Sequence, residues 1–406
     1  MTQAELGWGA GPTARYDVLA GRFRPIFQRI AESAVDREAE HRLPREEIGW
    51  LREAGFTRLR IPESGGGLGA TAPELFALVI ELSAADPNVT NALRAHTGFI
   101  EDLLNAPDDG FRARWFARAV AGELVGSGFS EAGDSKVSAF STTIVRNGKG
   151  WVLNGRKYYT TGSLFADWIN LAGVDAEGQP IAALVPTHAP GVEIVDDWDG
   201  FGQQLSASGT ATFADVHLDE ELVKPTPVRF RYATAFHQHV HVATLAGIAR
   251  AAASDVARLV AERKRIYSHG NAGRAGEDPQ ILQVVGAVRA AAYGAGAIAL
   301  KAAEALQHAY DARDLDEERK DAVSALADLE VNQAVRVVTD LVLGATTQLF
   351  DALGASAAKR GYGLDRHWRN ARTIASHNPR IYRDRIVGDF AVNGTRPAIF
   401  HRVGAA

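Results

Sequence analysis

Two imidazoles and a pair of hydroxyls are the side chains here whose setting suits proton and hydrogen-bond chemistry. His377 and Asn378 precede Pro379 in the stretch DRHWRNARTIASHNP; proline stops a helix and pushes the residue before it out of the helical region of φ/ψ space. A side chain at such an end can face a cavity, and a histidine there exchanges protons near neutral pH. Six arginines lie between Arg366 and Arg385, fixed charge able to hold an anionic ligand. An ordinary amphipathic helix with a solvated cationic face accounts for the same composition, because Leu364, Trp368, Ala371 and Ala375 recur at helical spacing. His96 lies in another helical stretch, on or beside the face of Ala92, Phe99 and Leu103; a buried, hydrogen-bonded structural histidine fits that position too. Thr160 and Thr161 stand in WVLNGRKYYTTGSLFADWINLAG, where Trp151, Tyr158, Tyr159, Phe165 and Trp168 offer aromatic walls for a planar ligand. Sheet packing alone explains many of these aromatics, but it does not require the adjacent hydroxyls.

The elements that must position these groups follow from periodicity. To about residue 121 the pattern is helical, with two helices parted at Asp86-Pro87. The glycine-rich break IPESGGGLGAT has neither the strand–glycine–helix context nor the Lys-Ser/Thr pair of a phosphate loop, so it is expected to be a flexible turn. From 122 to about 226 apolar and polar residues alternate, and Asn147-Gly148, Asn154-Gly155 and Glu177-Gly178 are expected as tight turns between antiparallel strands. Alanine-rich helices are expected over 240–265, 278–313 and 317–358, which with the segment after Leu364 make a bundle of four or more. The domain boundaries expected are thus 1–121 (helical), 122–226 (β) and 227–406 (helical bundle).

With 406 residues, 46% of them hydrophobic, the chain can bury a large core. A net charge of -5 argues against a nucleic-acid partner, which needs a concentrated positive field. The absence of cysteine removes disulfides, thiolate metal ligands and a thiol nucleophile, and suits a reducing cytoplasm. No metal site and no membrane-spanning run are expected, and the opening MTQAELGWGAG lacks the character of a signal peptide.

Three motifs carry a family resemblance. GSGFSEAGDS, GWVLNGRKYYTTG and GLDRHWRNAR resemble, in order, the flavin strand, the Asn-Gly-x-Lys strand and the arginine-rich helix of the acyl-CoA dehydrogenase superfamily. The resemblance covers nearly the whole chain and implies an α+β fold: an N-terminal helical domain, a central antiparallel β-barrel domain and a C-terminal four-helix bundle. It implies that Ser130, Tyr159 and Thr161 lie along an isoalloxazine ring, with Phe129 and Trp198 at the substrate pocket and Asn378 near the cofactor. Arg263 or Arg265 in ERKRIY would meet the cofactor phosphate, and a homotetramer is implied.

Departures from the dehydrogenase pattern point to one branch. The catalytic Glu expected shortly after the arginine run falls on Asn378, and a carboxamide cannot abstract a proton from carbon. Glu262 is the alternative carboxylate from another helix. QLFDALGAS places Asp351 and Ala352 where a Gly-Gly pair would approach the adenosine half of FAD, so FMN is the expected cofactor and FAD the lesser candidate. LDRHWRNARTIASHNP and DDWDGFGQQLSASGT resemble the reduced-flavin monooxygenases of this fold, the group that includes dibenzothiophene monooxygenase and sulfur-acquisition oxidoreductases. That resemblance implies catalytic roles for His96, His377, Tyr159 and Thr161. It further implies FMNH2 from a separate NAD(P)H:flavin reductase, reaction with O2 to a C4a-hydroperoxyflavin, and oxygen transfer to a small apolar substrate, an organosulfur or heteroaromatic compound. An FAD-dependent acyl-CoA dehydrogenase or oxidase is the alternative, and a non-catalytic helical scaffold the second.

Overall fold

The computed structural model describes residues 7–107, 109–131, 140–224 and 229–398. Six helices come first: α1 (Tyr16–Glu32), α2 (Ala34–Ala39), α3 (Arg45–Ala54), α4 (Ala72–Ala85), α5 (Pro87–Asn105) and α6 (Gly110–Val120). Local chemistry sets their starts. Thr71 and Glu74 form a reciprocal capping box at α4, and the Asp86 carboxylate accepts from Asn88 N at α5, with Pro87 in the first turn, where its missing N–H costs nothing. The glycine-rich break is a turn, with Gly66 and Gly69 at positive φ.

Eight strands follow in one curled sheet: β1 (Val125–Gly128), β2 (Thr143–Asn147), β3 (Gly150–Lys157), β4 (Trp168–Val174), β5 (Pro180–Pro186), β6 (Val192–Val195), β7 (Thr210–Leu218) and β8 (Val223–Lys224). Their order is β6-β7-β3-β2-β4-β5-β8, with β1 on β4. Pairing is antiparallel except at β4, which runs parallel to β1 and, through Thr143 and Val174, to β2. Asn147-Gly148 turns β2 into β3 as expected. Asn154-Gly155 does not turn the chain. It is an irregularity inside β3, where the register against β7 shifts; because β3 is paired on both sides, the glycine serves as a bulge in a continuous strand. Ile144, Leu153, Ile169, Leu171 and Val216 fill the sheet's own core.

The long helices α7 (Ala233–Glu262), α8 (Pro279–Asp311) and α9 (Glu317–Gln348) are followed by α10 (Asp365–Ala375) and α11 (Arg383–Asn393). α10 packs on α7 and α9, while α4 crosses onto α7 and α8, so α7 is wrapped by both helical regions. Phe76 and Phe236 meet there with ring centroids 5.3 Å apart, both wholly buried, and burial of each contributes on the order of 2 kcal/mol. Two expectations need correction. Trp368 leaves the apolar stripe of α10 to stack on Phe201 at 5.8 Å, and the stripe is completed by Ile374. The stretch Pro279–Asp314 is, by length and composition only, long and apolar enough to cross a membrane, although charged residues interrupt it.

Candidate active site

One face of α5 runs through the site. Asn91, Arg94, Gly98 and Asp102 succeed one another at helical spacing on it. Gly98 permits the closest approach: a Cβ there would collide with the His237 ring of α7. Gly162 does the same on the sheet side, where a Cβ would collide with the Ala92 carbonyl. Two glycines therefore bring α5 against α7 and against the Thr160–Gly162 segment.

His96 points the other way. Its Nδ1 accepts from Val125 N at 3.2 Å and its Nε2 donates to the Thr57 carbonyl at 2.9 Å. The backbone donor fixes the tautomer, and burial lowers the pKa to about 4. With both ring nitrogens bonded to backbone, His96 ties β1 to α5 and presents no free ring nitrogen to a ligand, unlike the catalytic role expected of it. The histidines that do come together are His237 and His241, one turn apart on α7, and His377 after α10. The His241 and His377 rings lie 4.3 Å apart, centroid to centroid, at 40°. His241 has neither ring nitrogen hydrogen-bonded, and His237 Nδ1 is likewise without a partner. His377 itself is exposed while His241 is buried, so the cluster is a recess open to solvent where α10 ends. Desolvation holds all three pKa values below the usual imidazole range; Arg94 lowers each further, and Arg229 that of His237. The sequence signal was FHQHVHV: two histidines four apart share a helix face. His239, between them, points to the core and meets the Phe76 ring at 4.4 Å.

The sheet supplies the second group of expected residues. Tyr159 is held at φ +59° and half exposed, against Tyr158 at 4.6 Å and Trp198 at 5.9 Å. Thr160 is spent on the Gly209 carbonyl (2.9 Å). Thr161 begins a hydroxyl chain: its Oγ1 lies 2.8 Å from Ser208 Oγ, which lies 2.8 Å from Ser206 Oγ, which donates to the Gln203 carbonyl at 2.7 Å. Each hydroxyl owns one proton, so the terminal carbonyl sets the direction. Ser206 donates to it, Ser208 donates to Ser206, Thr161 donates to Ser208, and Thr161 is left as an acceptor for any ligand. Ser130 is exposed and its carbonyl accepts from Tyr158 N (3.0 Å); residues 132–135 of its motif lie outside the described residues. Phe129, next to it, lines a cavity of about 280 Å³ with Phe99, Asp102, Phe111, Lys224 and Arg229.

Models of the N-terminal, middle and C-terminal domains of acyl-CoA dehydrogenases match residues 23–123, 128–216 and 239–379. The chain belongs to the acyl-CoA dehydrogenase family. Within that family it is similar to a probable FMNH2-dependent monooxygenase, SfnC, of Pseudomonas putida, at 30% identity over 92% of this chain and 95% of that one. It is also similar to dibenzothiophene monooxygenase of Rhodococcus qingshengii, at 28% identity over 92% of this chain and 93% of that one. Among solved structures it is similar to TdsC of Paenibacillus sp. A11-2 in complex with FMN and indole, with a TM-score of 0.85, 27% identity, and coverage of 94% and 98%. These likenesses support an oxidoreductase of the monooxygenase kind with FMN as cofactor, over the FAD-dependent dehydrogenase alternative.

The family frame shows what the remaining expected residues do. Glu262, the alternative base, is exposed and paired with Arg258 at 3.2 Å, roughly 32 Å along α7 from His241 at 1.5 Å per residue. It cannot serve the recess of its own chain. Arg263 and Arg265 lie just beyond it, Arg263 donating to the Leu353 carbonyl, and are equally remote. The arginines near α10 are mostly structural: Arg366 pairs with Asp255 (2.8 Å), Arg369 with Glu38 (2.7 Å), Arg380 with Asp340 (2.6 Å), and Arg383 donates to Asn332 (2.6 Å). Asn370 accepts from Gln203 N at 2.6 Å and donates to Glu38 at 2.9 Å, while Asn88 accepts from Leu205 N at 3.2 Å. This buried network locks α2, α5, α10 and the loop carrying the serine hydroxyls. Asn378 is half-buried beside His377.

Proposed function

We propose that the chain is the oxygenase of a two-component system, taking FMNH2 from a separate NAD(P)H:flavin reductase and using O2 to oxygenate a small organosulfur or heteroaromatic compound. The observation that carries this reading is the recess: three imidazoles and Arg94 converge, and the charges acting on the imidazoles are Arg94, Arg229 and one another, with no carboxylate among them in the described residues. Removing a carbon-bound proton calls for a stronger base than a desolvated, cation-flanked imidazole.

The residues present fit a flavin. The adjoining rings of Tyr159 and Trp198 offer apolar contact to a planar ring, Thr161 offers an acceptor to an N–H at its edge, and Ser130 and Asn378 are assigned to the cofactor by the same reading. Bound FMNH2 supplies the electrons and the point at which O2 reacts; the chain supplies orientation, dryness and protons. His377 and His241, kept neutral by desolvation and Arg94, each have one N–H to donate as a hydrogen bond. A neutral donor steadies negative charge without delivering a proton outright, which suppresses loss of hydrogen peroxide.

A homotetramer is part of this reading. Arg263 and Arg265 are too far from the recess of their own chain, so as phosphate ligands they must reach the cofactor of another copy. The exposed Leu282, Tyr293, Leu326 and Val337 on α8 and α9 give apolar surface for that assembly. We place the enzyme in the cytoplasm, where the reductase draws on NAD(P)H. The test is aerobic supply of FMNH2 with catalase present and a panel of organosulfur compounds and indoles. Oxygenated product is expected; product formed only from an acyl-CoA with an electron acceptor would overturn the reading.

A further inference from the structure

Arg94 is the most telling charge in the molecule outside the expected site. Among the described residues its one hydrogen bond is weak, Nε to Asn91 Oδ1 at 3.4 Å, and it forms no ion pair. It sits one turn before Gly98, hence one turn from the contact with His237, and its charge reaches His237, His241 and His377. Arg229 approaches the same place from beyond β8. It lies over the Phe129 ring at 4.4 Å and acts on Arg94, His237 and Asp102 alike, so it stands where the recess meets the 280 Å³ cavity.

Two guanidiniums that repel each other in a desolvated site are costly unless a ligand neutralises them. Desolvation first and Arg229 second lower the Arg94 pKa to about 10, still well charged at neutral pH. The cavity next to them is walled by Phe99, Leu103, Phe111 and Phe230, apolar surface suited to a carbon skeleton. Its one acid, Asp102, has an unpartnered buried oxygen and a pKa raised by burial to about 7, so it compensates only part of the positive charge.

We infer that the substrate of this site is an organic anion, an apolar body bearing an oxyanion such as sulfinate, sulfonate or carboxylate, with Arg94 and Arg229 binding the oxyanion and the cavity along α5 holding the body. This rests on the oxygenase reading for its setting but concerns binding alone. Guanidinium forks match the spread oxygens of such groups, and His241, with neither ring nitrogen hydrogen-bonded, and His237, whose Nδ1 has no partner, add neutral imidazoles beside them.

Calorimetry on the FMN-loaded protein separates this from any failure of the chemistry. The probes are benzenesulfonate and methyl phenyl sulfone, of like shape but unlike charge, neither requiring turnover. Benzenesulfonate is expected to bind at least about tenfold tighter, and Arg94→Met to abolish that preference while leaving sulfone affinity unchanged; Arg94→Lys should restore part of it. Arg229→Met gives a second reading if Arg94→Met does not fold. Equal or tighter binding of the sulfone by the unaltered protein would overturn the inference, as would unchanged sulfonate affinity in folded Arg94→Met. Displacement of FMN by benzenesulfonate would also overturn it, by assigning these cations to the cofactor phosphate. If no substrate is oxygenated yet sulfonate binds through Arg94, the oxygenase reading fails and the anion site stands.

Discussion

The imidazoles of His241 and His377 lie 4.3 Å apart, one from the first third of a 30-residue helix and one from the turn that ends α10. Desolvation lowers the pKa of both, and Arg94 lowers each further. They form the donor pair of the proposed oxygenase, so His377→Ala and His241→Ala should each divert reduced flavin to hydrogen peroxide. Oxygenated product per FMNH2 is expected to fall by about 10- to 100-fold, the worth of a lost hydrogen bond to a charged group, with FMN still bound. Unchanged product yield, with peroxide measured by an oxygen electrode and catalase, would refute the assignment.

His96 gives a prediction of the opposite kind. His96→Ala leaves Val125 N and the Thr57 carbonyl without partners, and should cost about 1–3 kcal/mol for each group left buried. Urea unfolding should show this loss, while FMN affinity per folded molecule stays near that of the unaltered protein.

The same ring predicts a pH dependence. The folded pKa of His96, about 4, lies below its ordinary value of 6.5, so the unfolded chain binds the proton first as pH falls. Its contribution to stability is intact above about pH 6.5 and is lost progressively down to about pH 4, a change on the order of 3 kcal/mol. Urea midpoints from pH 7 to pH 4.5 should therefore decline more steeply for the unaltered protein than for His96→Gln. Parallel slopes would show that His96 is not buried neutral.

Thr161 tests the hydroxyl chain. Thr161→Val removes the end of the chain, the member that accepts no bond within it, and FMN affinity should weaken roughly 3- to 10-fold, the worth of one hydrogen bond. Ser206→Ala reopens the direction of donation and should weaken FMN less than Thr161→Val does. Equal affinity for Thr161→Val and the unaltered protein would remove Thr161 from the cofactor site.

Gly98→Ala probes the crossing of α5 and α7. The added methyl meets the His237 ring, and overpacking of this kind costs about 1–3 kcal/mol. Thermal unfolding should register it, and product yield should fall because His237 is displaced from the recess. A variant with unchanged stability would mean that the two helices do not approach so closely.

Much of the fold was legible in the chain because its cause is local. The change from helical to alternating periodicity near Gly122, the capping at Thr71 and Asp86, and the turn at Asn147-Gly148 each depend on residues within a few positions. Asn154-Gly155 has turn composition too, yet sits inside β3, since a pairing on both flanks outweighs a turn preference. Motifs gave the family and the aromatic and hydroxyl wall at Tyr159 and Thr161.

The sequence by itself thus determined the elements and the family, and it named the candidate residues on the sheet. Only the tertiary structure decided which histidines face the recess: His96 and His241 both lie on helices among apolar neighbours, and nothing local distinguishes them. The packing of α5 on β1 satisfies one ring completely, while the convergence of α7 with the end of α10 leaves the other without a partner. Long-range packing assigns hydrogen-bond partners, and partners decide which imidazole is free to act.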